Sequence, residues 1–170
     1  MRSVALVILG LGNDLLGDDG IGLVAAERLV GLLGADVAIR RSAQSGLYLL
    51  EHLEGFDDAI VIDTILGDAP GRVRELNVAA FRPIGVPSAH YAGLPEALAV
   101  ARRAELRVPS RLRIFVVEMA AGQTIGAPPG PEVAAAIPEI VARVADAART
   151  WGYGRRKESP ARARRRKRNA

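Results

Sequence analysis

Cysteine is absent from the 170 residues. Its absence excludes disulfides, a thiolate zinc site and a cysteine nucleophile, and it leaves the redox compartment open. No apolar run approaches the ~18 residues that a membrane span requires. The apolar part of the opening MRSVALVILG is short for a signal peptide and runs directly into a glycine loop, so it reads as a first strand. There is no internal repeat and no G-x-S-x-G elbow. Ser42, Ser45 and Ser88 lack an evident base apart from His90, two residues beyond Ser88, so a serine nucleophile has little support. Basic charge is concentrated at the far end of the chain. Residues 155–170 hold nine of the 23 Lys and Arg and one of the 19 acids, which leaves 14 basic and 18 acidic residues in 1–154, a net of −4. The overall net charge of +4 and the pI near 10.1 are therefore properties of the tail. That tail has no apolar periodicity and is expected to be disordered. A basic segment can bind nucleic acid or an acidic membrane surface, but no folded nucleic-acid module accompanies it, so no specific nucleic acid is expected.

What is present fits one folded domain: 49% hydrophobic residues, 25% charged, and enough length for a sizeable core. Its most informative stretch is VALVILGLGNDLLGDDGIG, residues 4–22. An apolar run over 4–9 without alternation reads as a strand buried on both faces. Gly10 and Gly12 follow, then a loop with Asp14, Asp18 and Asp19, then a helix expected over 20–33. Three carboxylates within six residues, between a buried strand and a helix, are poorly explained by packing. Further strands are expected over 37–40, 59–62, 72–76 (an edge strand) and 111–117. Helices are expected over 47–53, with Leu47, Leu50 and Leu53 inward, over 94–103 and over 132–150, where Pro138 bends or divides the helix. Strands alternating with helices imply an α/β layer fold with a largely parallel sheet.

Gly10-x-Gly12 follows a strand, but a dinucleotide fingerprint needs a third glycine where this chain has Leu15, and an acidic loop repels a pyrophosphate; Arg40 and Arg41 could meet a 2′-phosphate, but surface arginines there are unremarkable. A metal site is the stronger reading. Asp18 or Asp19 after the first strand, Asp63 after the third, and His90 before a helix are placed to converge at the carboxyl edge of a parallel sheet. Two carboxylates and an imidazole suit a first-row divalent ion. Each has a plainer account: Asp18 as an acid at a helix N-terminus, Asp14 as a turn residue, Asp63 as a strand-end acid, His90 as a structural histidine. His52 receives no role, and Glu118, which also ends an apolar run, reads as a solvated strand-end acid.

These residues resemble the hydrogenase maturation protease family. LGLGNDLLGDDGIG (9–22) resembles the family's opening signature of strand, G-x-G-N, two apolar residues and an acidic G-D-[DE]-x-x-G. IVIDTILGDAPGRV (60–73) is similar to its second block, SAHYAGL (88–94) to its third, and EVAAAIPEIVARV (132–144) to its closing helix. The resemblance implies a three-layer α/β/α sandwich around a mostly parallel twisted sheet (phosphorylase/hydrolase-like), spanning 1–151, with 152–170 as the basic tail. It implies a cytoplasmic, monomeric endopeptidase that removes a C-terminal extension from the precursor of a nickel–iron hydrogenase large subunit. It carries the metal-binding and catalytic roles onto Asp19, Asp63 and His90, with nickel supplied by the substrate rather than permanently bound, and Asp18 in support. The same fold and acids would also suit a non-catalytic module that senses or delivers nickel. RRSAQSG (40–46) and VVEMAAG (116–122) depart from the family pattern without removing a candidate ligand.

Overall fold

The computed structural model describes residues 5–77 and 93–154. Five strands form one sheet: β1 (Leu6–Leu11), β2 (Val37–Ser42), β3 (Asp58–Leu66), β4 (Val73–Leu76) and β5 (Arg111–Met119), in the order β2-β1-β3-β5-β4. All neighbours are parallel except β4, which runs antiparallel to β5 at the edge. Every residue of β1 is buried, as its unbroken apolar run predicts for a central parallel strand.

Helices cover both faces. On one lie α1 (Ile21–Leu29), α4 (Pro131–Ala135) and α5 (Ile137–Thr150), which press Ile21, Ala25, Val133, Ile140 and Val144 onto Leu6, Ile8, Ile60 and Phe115. On the other lie α2 (Leu50–Leu53) and α3 (Leu94–Arg103), which bring Leu53, Leu94 and Leu98 onto Val7, Leu9, Val61 and Val116. The expected α/β/α layering is observed. Pro138 divides the last helix rather than bending it: α4 stops at Ala135, and the proline sits in the first turn of α5, where its missing N–H costs nothing.

Several expectations about element bounds change; the first two strands, for instance, run on to Leu11 and Ser42. The first helix begins with a 3₁₀ turn, Gly17–Gly20, and ends at Leu29, so Leu32 lies outside it and is exposed. The segment before α2 is also 3₁₀, Gly46–Leu49; the tighter winding shifts the phase, burying Leu49 and turning Leu47 out to 62% exposure. Strands β3 and β5 continue through Asp63 and Glu118 instead of ending at them. The folded body also continues past Trp151. The Tyr153 hydroxyl donates to Asp58 Oδ2 at 2.5 Å, and the Gly154 amide donates to the Asp36 carboxylate.

Candidate functional site

Chain direction across the sheet reverses between β1 and β3. From β1 the chain crosses by α1 to β2 on one side; from β2 it returns by α2, on the opposite face, to β3 on the other. Such a switch point leaves a crevice beyond the carboxyl ends of the strands, the usual seat of a site in an open α/β sheet. Strand lengths deepen it. Pairing of β1 with β3 stops at Gly10–Ile62, whereas β3 stays paired with β5 as far as Leu66. Asp63 and Thr64 therefore lie where β3 overhangs β1, and the loop after β1 folds against that overhang.

The loop is tightly built. Asn13 Oδ1 accepts from the Leu15 amide, the Leu16 amide donates to the Asn13 carbonyl, and the Asp19 amide donates to the Leu16 carbonyl. The Asn13 amide then donates to the Asp19 carbonyl, closing the loop on itself. Gly12 makes this possible: a Cβ there would stand 2.0 Å from the Asp19 carbonyl oxygen. Gly22 serves the next step, since a Cβ would stand 2.1 Å from the Leu11 oxygen, so any larger residue would lift α1 off the sheet. The glycines expected of a phosphate cradle are thus filled by the chain's own backbone. Arg40 and Arg41 are engaged as well, Arg40 with the Glu51 carbonyl and the Phe56 ring, Arg41 with Glu27 at 2.7 Å.

Two candidate acids meet through one residue. The Thr64 hydroxyl donates to Asp19 Oδ1 at 2.8 Å, and the Thr64 amide donates to Asp63 Oδ1 at 2.8 Å. Asp63 is fully buried and Asp19 nearly so. His90, the third candidate, lies outside the described residues, as does Ser88. Among the described residues no group of three Asp, Glu or His side chains suited to a metal ion forms. The carboxylate oxygens of Asp19 and Asp63 are hard donors of the kind a divalent ion accepts.

Two further acids, Asp18 and Glu118, have structural partners, and Asp14 is exposed. Asp18 is a clasp: its Oδ1 accepts from the Gly130 amide at 2.6 Å and its Oδ2 from Gln123 Nε2 at 3.1 Å, while its own amide donates to Gln123 Oε1. With the Gly126 amide donating to the Leu15 carbonyl, this ties the 122–131 loop onto the acidic loop. Between them and α1 lies a groove of about 470 Å³ lined by Asp14, Leu23, Glu27, Arg41 and Pro128. Glu118 is buried, not solvated. It accepts from Arg74 and from the Ala69 amide, with Arg72 at 3.6 Å. Burial pushes its carboxyl up, but these bonds and the two guanidinium charges hold it below the ordinary glutamate value. Nothing in the sequence pattern pointed to Thr64, Gln123 or this role for Glu118, because each depends on strands or loops far apart in the chain. His52 pairs through Nε2 with Gln44 Oε1 at 2.9 Å, in the turn between β2 and α2, consistent with having no role at the site.

A mostly parallel sheet with buried carboxylates at its switch point defines the α/β class of protein with a polar site at the carboxyl edge, and comparison with known proteins narrows this. Residues 43–147 match the family model described as hydrogenase maturation protease. The chain is 31% identical over 153 residues to the hydrogenase expression/formation protein HupD of Rhodobacter capsulatus, covering 86% of this chain and 72% of that one. Its fold matches the hydrogenase maturating endopeptidase HybD from E. coli with a TM-score of 0.74 at 27% identity, covering 88% of this chain and 94% of that one. It also matches the [NiFe] hydrogenase maturation protease HybD from Thermococcus kodakarensis, with a TM-score of 0.62 at 27% identity over 85% and 99% of the two chains. The chain belongs to the hydrogenase maturation protease family and is an endopeptidase of that class.

Proposed function

We propose that this endopeptidase removes a C-terminal extension from the nickel-loaded precursor of a nickel–iron hydrogenase large subunit, and that Asp19, Asp63 and His90 recognise the nickel that the substrate carries. The observation that supports this most is the meeting of two buried carboxylates on Thr64 at the switch point of a maturation-protease fold. Nickel enters as cargo of the substrate. A precursor without it lacks the interaction that positions its scissile bond, so loading acts as a checkpoint on cleavage. The protein is read as a cytoplasmic monomer; among the described residues no helix is long and apolar enough to cross a membrane.

The test is a processing assay with the precursor encoded alongside this chain, nickel-loaded and nickel-free, following loss of the C-terminal peptide by intact mass. The expected result is cleavage of the loaded form only, abolished by His90→Ala and by Asp19→Ala. Nickel binding without cleavage, on a precursor that another maturation protease does process, would instead favour a sensing or delivery module. Cleavage of both forms alike would overturn the checkpoint.

A further inference from the structure

We propose that Thr64 is the positioning residue of the site: its hydroxyl and amide set the geometry in which Asp19 and Asp63 face a nickel ion. The inference rests on the functional reading above and adds a residue that neither carries charge nor lies among the candidate ligands. Thr64 is 1% exposed, in the part of β3 that overhangs β1. An ionised carboxylate is acceptor-only, so the Thr64 Oγ1–H must be the donor in the 2.8 Å contact with Asp19 Oδ1. The adjoining amide makes the second 2.8 Å bond, to Asp63 Oδ1. One residue thereby orients acids 44 positions apart in the chain, one from a loop and one from a strand.

The chemistry of the donors matters. Arg or Lys would orient a carboxylate equally well but would place a positive charge beside an arriving cation. Elsewhere in this fold buried acids are held in that way, Asp58 by Arg111 and Glu118 by Arg74. The Thr64 hydroxyl and amide are neutral donors, and a neutral donor orients a carboxylate without itself bringing a positive charge, as supporting hydrogen bonds around metal ligands do. Threonine is also stiff at χ1, and its branched Cβ is held by burial in the strand, so the hydroxyl direction is fixed before any ion arrives.

The test compares Thr64→Val, which keeps the shape and removes the hydroxyl, with Thr64→Ser, which keeps the hydroxyl. Thr64→Ala is made alongside, so that loss of the hydroxyl can be read in a chain free of the valine's packing demands. The full chain is measured for its affinity for Ni²⁺ alone by calorimetry, for KM and kcat on the nickel-loaded precursor, and for its melting temperature. Thr64→Val and Thr64→Ala are expected to bind Ni²⁺ about 10-fold more weakly, the lower end of the range for lost supporting bonds. KM should rise while the melting temperature of Thr64→Val stays near wild type, and Thr64→Ser should restore both constants. Wild-type affinity and KM in Thr64→Val or Thr64→Ala overturn the inference, as does a loss that Thr64→Ser fails to rescue. Those results presuppose a wild-type chain that binds Ni²⁺ and processes the loaded precursor. A wild type that does neither overturns the nickel reading, and this inference with it.

Discussion

Strand β3 carries a buried aspartate near each end, and different donors reach the two. At the amino end Asp58 accepts from Arg111 through both oxygens and from the Tyr153 hydroxyl, with the Arg111 guanidinium stacked 4.7 Å from the Trp151 ring. Burial pushes its carboxyl up, but the bonds from Arg111 and Tyr153 and the Arg111 charge bring it below the ordinary value. At the carboxyl end Asp63 accepts from the amide of Thr64, which also holds Asp19. The buried acid matched by a cation anchors the segment after α5, Trp151 and Tyr153, to the sheet. The donor that Thr64 supplies to Asp63 is neutral, so it orients that carboxylate without bringing a charge of its own. Both aspartates are buried; the chemistry of these donors is what differs.

Swapping charge for amide at the two positions should break the comparison most sharply. Asp63→Asn keeps an oxygen for the Thr64 amide, so the fold should persist while processing of the loaded precursor falls by more than ~100-fold, the scale of a lost transition-state contact of about 3 kcal/mol. Asp58→Asn leaves Arg111 without its counter-charge. Because that guanidinium is half exposed, the cost should be about 2–3 kcal/mol, below that of a fully buried broken pair. Activity per folded molecule should be unchanged. Urea midpoints and intact-mass assays on both variants check this, and a badly unfolded Asp63→Asn would make that acid structural. Next in size, Asp18→Ala strands the Gly130 amide and Gln123, costing about 1–2 kcal/mol. Its signature should be faster proteolysis within 122–131, with a smaller loss of processing than Asp19→Ala gives.

The last predictions concern pH and stability. Asp58 and Glu118 have folded pKa values below their usual 3.8 and 4.5. Below those usual values the unfolded chain takes up protons that the folded one refuses. Their contribution is therefore present above about pH 4.5 and drains away as pH falls through the lower folded values. Tyr153 is pushed up to about 12 by burial and by Asp58 beside it. Between its usual 10.0 and 12 the unfolded chain sheds a proton that the folded one keeps, so stability should fall across that window. Asp58→Asn should blunt both limbs in thermal melts taken across pH.

Much of this architecture is legible in the sequence. The continuous apolar run of β1, the edge strand at Val73–Leu76 and an interruption at Pro138 follow from local chemistry, whereas Gly10, read as following the first strand, lies within it and pairs with Ile62. Asp63 and Glu118 are legible as special but read as strand ends, since each interrupts an apolar run. Both strands continue because β3 and β5 still pair with each other beyond the acids, Asp63 with Val116 and Ile65 with Glu118. The arginines that match Glu118 alternate along the chain into β4, and only the antiparallel β4–β5 register brings Arg74 to it. Thr64 carries no signal of its own. Its meaning comes from the unequal lengths of β1 and β3, a property of the folded sheet.

The Asp18 clasp has a consequence for anyone exchanging parts between relatives. It joins the loop after β1 to the 122–131 loop by bonds spanning 105 and 112 positions of sequence. A transplant of either loop alone would arrive with half a joint, its carboxylate or its amides facing a stranger. The two are a single cassette written in two places, and a loop grafted from one homologue to another should keep its shape only when both halves move together.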